Sequence, residues 1–204
     1  MTHFNLKKKQ SRKKFFFKKN NILSKLGEEL LNSKLNFIKS SPIKIIQFGE
    51  SFNINNFNKK IILFENSDEL IKNQTITDAF LSNFGLQIYL AYEKNLIKHI
   101  FRSLNNNGLL CFNLVTNNSF ITLKNFFYEI DENIFQGSYQ RFGPFHNIQN
   151  IIEVLNKNNF KEIVVSTENI ELNYNSLKKM RTEFKEFGIS NYYKDKIKFK
   201  KDFY

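Results

Sequence analysis

Short, predominantly apolar runs separated by segments of helical period constrain this chain more than any other feature. Ile43-Lys44-Ile45-Ile46-Gln47-Phe48 stops at Gly49, and Ile61-Ile62-Leu63-Phe64 stops at Glu65. Asp78-Ala79-Phe80-Leu81 and the stretch from Leu109 to Val115 follow. Runs of this length without polar alternation fit strands buried on both faces, and such strands belong to parallel sheets covered by helices on either side. The reading is therefore an α/β fold, with right-handed crossovers fixing the strand order.

The intervening segments supply the helices. Ile22, Leu23, Leu26, Leu30, Leu31 and Phe37-Ile38 predict a helix over 22–39, broken by Ser40-Ser41-Pro42. A helix over 92–105 is expected to stop at Asn105-Asn106-Asn107-Gly108, where glycine relieves a left-handed cap. Another is expected over 119–130. Asn147 caps a helix carrying Ile148, Ile151, Ile152 and Leu155 on one face. Ile163-Val164-Val165 and Ile170-Glu171-Leu172-Asn173-Tyr174 read as strands. The last helix, 176–187, presents Leu177, Met180, Phe184 and Phe187 together, and Gly188 closes it.

At 204 residues the chain has room for one domain with a substantial core. Its net charge of +12 is unevenly placed. Residues 1–20 hold eight Lys and Arg with no acid, and residues 194–204 carry a net +3. A near-neutral body, 21–193, lies between a basic arm and a basic tail. The arm, with Phe15-Phe16-Phe17 inside it, suits weak electrostatic contact with nucleic acid or anionic lipid, a targeting role, or simple solvation; solvation is the usual fate of a charge run. Cys111 stands alone in an apolar run, as a small buried hydrophobe in a reducing compartment would. His3, His99 and His146 are scattered, so no metal-ligand spacing exists. No apolar run is long enough to span a membrane. The abundance of Lys, Asn, Ile and Phe looks like AT-rich codon usage and suggests a bacterial, cytoplasmic protein.

The C-terminal third carries a resemblance. Arg141-Phe142-Gly143-Pro144-Phe145 precedes a short amphipathic stretch ending in Asn159-Phe160. Tyr174-Asn175-Ser176-Leu177, Met180-Arg181 and Phe187-Gly188-Ile189-Ser190-Asn191 then follow. This series resembles the S-adenosylmethionine (SAM) methyltransferase-like family of the mitochondrial complex I assembly factor and its alphaproteobacterial relatives. More distantly, it is similar to the malonyl-carrier-protein methyltransferases of biotin synthesis. The resemblance spans most of the chain and is specific from about Arg141 to Asn191. It implies a Rossmann-like class I methyltransferase sheet and SAM as cofactor.

Carried over residue by residue, the resemblance puts the glycine-rich turn at Gly49-Glu50-Ser51-Phe52-Asn53. Only the first glycine is kept; Ser51 and Asn53 replace the others, and Gln47 replaces the usual acid. Glu65-Asn66-Ser67 stands where the family has Asp-x-Ser, which implies that Glu65 accepts from both ribose hydroxyls. Thr77-Asp78-Ala79-Phe80-Leu81-Ser82-Asn83-Phe84-Gly85-Leu86 resembles Phe-Asp-Leu-Val-x-Ser-Asn-Leu-x-Leu, which adds Ser82 and Asn83 to the cofactor side. Leu104 to Leu110 resembles the family's turn into its fifth strand. Arg141 and Tyr174 are expected toward the substrate side, against structural roles as a helix-end ion pair and a strand-end packing residue.

Two departures matter. Only 29 positions separate Gly49 from Asp78, so a helix and the third strand of the family are expected to be missing or reduced. The chain also ends at Tyr204, before the family's final strand. The expected order is thus 2-1-4-5 in the family's numbering. The functional expectation is a SAM-dependent methyltransferase-like protein acting on an unidentified substrate, a protein among the candidates, in a group where some members hydroxylate arginine instead. The alternatives are a catalytically inactive assembly or scaffold protein that keeps the fold, and a basic RNA or ribosome binder, which the neutral body disfavours.

Overall fold

Strands β1 (Lys44–Phe48), β2 (Lys60–Phe64), β3 (Thr77–Asn83) and β4 (Leu104–Asn113) pair in parallel. Their order is β2-β1-β3-β4. The computed structural model describes residues 21–38, 42–55, 60–73, 75–141 and 143–187. Helices α1 (Ile22–Leu35), α2 (Ser67–Lys72), α3 (Leu86–Tyr92) and α4 (Leu96–Arg102) precede β4; α5 (Ile121–Phe135), α6 (Ile148–Lys157) and α7 (Leu177–Phe187) follow it. The expected order is thereby met. Between β2 and β3 the described residues form only the short α2, with no further strand, as the short spacing from Gly49 to Asp78 led one to expect.

Alternation along each strand divides the core into two layers. Ile46, Phe48 and Phe80 pack on the face covered by Leu70 of α2, Leu86 and Tyr89 of α3, Leu96, Ile97 and Ile100 of α4, and Leu155 of α6. Ile45, Ala79 and Leu81 turn the other way onto Leu31 and Leu35 of α1. Coverage fails at β2. Ile62 and Phe64 pack against the first layer, but Ile61 and Leu63 are 47% and 40% exposed on the opposite face. Asn21 and Asn147 cap α1 and α6 by accepting from two backbone N–H groups each.

Asp78 works at the amino end of the sheet. Its Oδ2 accepts from Ile43 N and Lys44 N, both at 2.9 Å, and its Oδ1 accepts from Asn105 Nδ2 at 2.6 Å. These bonds to the ionised form hold its carboxyl below the usual range. One carboxylate thus ties together the starts of β1, β3 and β4.

Several expectations are corrected. The helix expected over 92–105 is shorter, α4, and an unpredicted helix, α3, precedes it and ends where Glu93 leaves helical geometry (φ −96°, ψ 90°). β4 starts at Leu104, not Leu109, and takes in the asparagine run as a bulge: Thr77 and Ala79 oppose Leu104 and Leu109. Asn107, at φ 62°, takes the left-handed conformation expected of Gly108. The segments 163–165 and 170–174 are not strands. Val164 is 90% exposed, and Leu172 and Tyr174 instead join an aromatic cluster with α7. The first helix ends at Leu35, the middle one runs 121–135, and Leu177 of the last helix is 73% exposed, outside the apolar face assigned to it. The arm 1–20, the tail 194–204 and Gly188 lie outside the described residues.

Candidate functional site

Open parallel sheets bind ligands beyond the carboxyl ends of their strands, in the crevice where successive connections leave in opposite directions. Here that point lies between β1 and β3, since β1 leads to β2 on one side and β3 to β4 on the other. Its floor is two glycines. Gly49 sits at φ +99°, and a Cβ on it would stand 2.6 Å from Gly85 Cα. A Cβ on Gly85 would stand 2.2 Å from the Phe48 carbonyl oxygen and 2.8 Å from Ser82 Oγ. Only glycines permit that approach.

The loop beyond Gly49 is held from two directions. Gln47, buried in β1, donates from Nε2 to Phe52 O at 2.8 Å and accepts at Oε1 from Phe52 N at 3.3 Å. From α1, Asn32 donates to Asn53 O at 2.9 Å and accepts from Asn55 N at 2.9 Å. Within this loop Glu50 is half-buried and Ser51 exposed.

The sequence-predicted residues then separate by role. Gly49, Glu50, Ser51, Glu65, Ser82 and Asn83 gather at the carboxyl ends of β1, β2 and β3. Glu65 is exposed just past β2, its backbone fixed by Glu69 Oε2 on its N–H (3.0 Å) and by the Tyr89 hydroxyl on its carbonyl (3.3 Å). Asn66 is the N-cap of α2: its Oδ1 accepts from Glu69 N at 3.0 Å while its Nδ2 donates to Glu69 Oε1 at 2.6 Å. Ser82 is fully buried and donates to Phe48 O at 2.9 Å. Asn83 donates to Ser24 O of α1 at 2.8 Å.

Arg141 engages α5: it pairs with the fully buried carboxylate of Asp131 through Nη2 and Nε and lies over the Phe127 ring at 4.9 Å. Tyr174 belongs to the cluster of Phe84, Phe120, Phe184 and Phe187. Burial, then the adjoining Glu183 carboxylate, raise its hydroxyl pKa.

Sequence reasoning missed the part played by α1. Asn113 donates to Gly27 O at 2.9 Å and accepts from Phe84 N at 2.7 Å. A Cβ on Gly27 would meet Asn83 Oδ1 at 2.2 Å and the Phe84 ring at 2.3 Å. Helix α1 thus lies against the ends of β3 and β4 at Ser24–Gly27 and reaches the Gly49 loop at Asn32. Gln87 was also missed. Its side chain pairs with both backbone groups of Val115 and donates to Pro144 O at 2.6 Å, while its own carbonyl receives His146 Nε2 at 2.6 Å. Burial lowers the His146 pKa, opposed by that bond. Gly85 carried a signal, a glycine just past a predicted strand; the asparagines carried none in a chain this rich in them.

No protein-family model matches the chain, and no curated protein does. Among solved structures it is similar to phosphoethanolamine N-methyltransferase 2 of Haemonchus contortus. One such structure is in complex with S-adenosyl-L-methionine, at 17% identity and a TM-score of 0.40. Another holds phosphomonomethylethanolamine and S-adenosylhomocysteine, at 17% identity and a TM-score of 0.39. Each likeness covers 52% of this chain and 28% of the other.

For the SAM that the sequence resemblance implies, Glu65 stands exposed at the end of β2 with the carboxylate chemistry a ribose diol would need. On the amino-acid side, Glu50 and Ser51 lie in the loop beyond Gly49. Ser82, Asn83 and Asn113 are engaged with backbone carbonyls, and α1 packs against the strand ends. No methyl-transfer step follows from these residues.

Proposed function

We propose that the chain is a methyltransferase-like protein that takes an adenosyl ligand of the SAM type in the crevice between β1 and β3. The observation that carries this is the glycine-floored switch point with Glu65 exposed beside it. Bound there, a ribose presents two hydroxyls to one carboxylate, and such charge-assisted bonds contribute roughly 1.5–3 kcal/mol each before solvent compensation. Titration with SAM by calorimetry tests the reading. Wild type is expected to bind, and Glu65→Ala to bind at least about tenfold more weakly. Absence of heat at millimolar ligand, unchanged in the variant, rejects it.

The second reading is an assembly or scaffold protein that keeps the fold without catalysis. What favours it is the engagement of Ser82, Asn83 and Asn113 with the backbone of Phe48, Ser24 and Gly27. The two readings part on the same titration, and the substrate or partner is left to be found by experiment. The basic arm, on either reading, contributes at most a salt-sensitive contact with an anionic surface. Among the described residues no helix is long and apolar enough to cross a membrane.

A further inference from the structure

Resting on that reading, we infer that the anionic surface met by the basic arm is the chain's own crevice. Cations of the arm pair with the carboxylates beyond β1 and β2, and the arm is an internal competitor of the adenosyl ligand.

Charge, position and reach support this. The residues that leave β1 and β2, from Gly49 to Asn55 and from Glu65 to Ile71, hold Glu50, Glu65, Asp68 and Glu69 and no Lys or Arg. Three of these act on one group: burial, then Tyr92, then the Asp68, Glu69 and Glu65 charges raise the Tyr89 hydroxyl pKa. The arm holds eight Lys and Arg and no acid. It joins the domain at Asn21, the N-cap of α1, whose Nδ2 donates to Glu183 O of α7 at 3.2 Å. Three residues on, Ser24 O accepts from Asn83, two residues before the Gly85 floor. The arm therefore meets the domain at the carboxyl end of the sheet, where the crevice opens, and not at the Asp78 end. Neighbouring strands stand about 4.8 Å apart, so the ends of β1 and β2 lie roughly 5 and 10 Å from that of β3. An extended chain covers about 3.3–3.6 Å per residue, which brings Lys19, Lys18, Lys14 and Lys13 within range of both. Each exposed pair is weak alone, and several on one tethered segment reinforce one another.

Calorimetric titration with SAM tests the inference on the full chain and on a full-length variant carrying Lys13→Gln, Lys14→Gln, Lys18→Gln and Lys19→Gln. A crevice that the arm fills about nine-tenths of the time has an apparent affinity about tenfold below its own. The variant is therefore expected to bind at least about fivefold more tightly than wild type, with the gap closing as salt rises. Carbodiimide, which joins an amine to a carboxylate only where the two touch, gives a second measurement. In wild type it is expected to link arm lysines to Glu50, Glu65, Asp68 or Glu69 within one chain, and saturating SAM to suppress those links. Equal affinities overturn the inference while the proposed function stands. So do arm lysines linked only to Glu129, Glu132 or Glu186, or to a second copy. If neither protein binds SAM, the proposed function falls and takes the inference with it.

Discussion

Gly49 and Gly85 meet backbone to backbone, so close that a Cβ on Gly49 would stand 2.6 Å from the Cα of Gly85. The turn that leaves β1 and the turn that leaves β3 are thereby locked together at the base of the crevice. Gly49→Ala adds a strained positive φ to that clash, and the neighbour is backbone that cannot rotate away. The two effects together predict a loss of roughly 2–5 kcal/mol for Gly49→Ala. Gly85→Ala, which would drive its Cβ into the Phe48 carbonyl, should cost a similar amount. Urea denaturation of both variants checks this; a loss below about 1 kcal/mol would mean that the two turns are free to part.

Arg141 offers a way to separate a substrate contact from a structural one. Its guanidinium serves the buried Asp131 carboxylate, so Arg141→Ala leaves that charge without its cation. A loss of roughly 2–4 kcal/mol is expected, discounted slightly because Arg141 is partly exposed. Adenosyl ligand affinity should stay at the wild-type value. A variant that is fully stable but loses turnover on an identified substrate would place Arg141 in the chemistry instead.

Gln47 makes a sharper test of the loop. Gln47→Glu replaces the donor to Phe52 O with a carboxylate oxygen facing a carbonyl, while the bond from Phe52 N survives. At neutral pH the loss should reach about 1–3 kcal/mol. The protonated acid can donate where the amide did, so the folded state raises the pKa of the new group. Stability therefore recovers as pH falls below that raised pKa and is lost above it. Thermal melting of both proteins over a pH series reads the difference.

His146 governs the wild type in mildly acid solution. Burial depresses its folded pKa below the unfolded value of 6.5. The unfolded chain therefore binds more protons between the two values, so the contribution is present above pH 6.5 and lost as pH falls through the folded pKa. Asp78, also depressed, adds a second loss as pH falls below the ordinary carboxylate range. Urea midpoints measured between about pH 5.5 and 7.5 should slope downward toward acid, and His146→Gln should flatten that slope.

How much of this was legible depended on what each residue faces. β1 and β3 are buried on both sides, so their apolar runs announced them, and parallel pairing left little freedom of order. Helix α3 was invisible because Leu86, Gln87, Ile88 and Tyr89 are all buried, which erases the amphipathic period. Ile163-Val164-Val165 misled because β-branched residues favour strands only where a neighbouring strand accepts them. The ends of the apolar runs put Gly49 and Glu65 just past β1 and β2, where they stand. Gly27 lies inside a helix, and nothing local in the sequence points to Asn83 or Asn113 as its neighbours.

The bare side of β2 has a consequence for the order in which the sheet lets go. Among the described residues β2 is an edge strand, with Ile61 and Leu63 exposed on one face. Segments with few buried contacts open first in native-state exchange, well before the whole domain unfolds. Glu65 rides on the end of that strand. A ligand held by Glu65 would slow the exchange of the β2 amides ahead of those in β1 and β3, so occupancy of the crevice and closure of the sheet's loosest edge become one event.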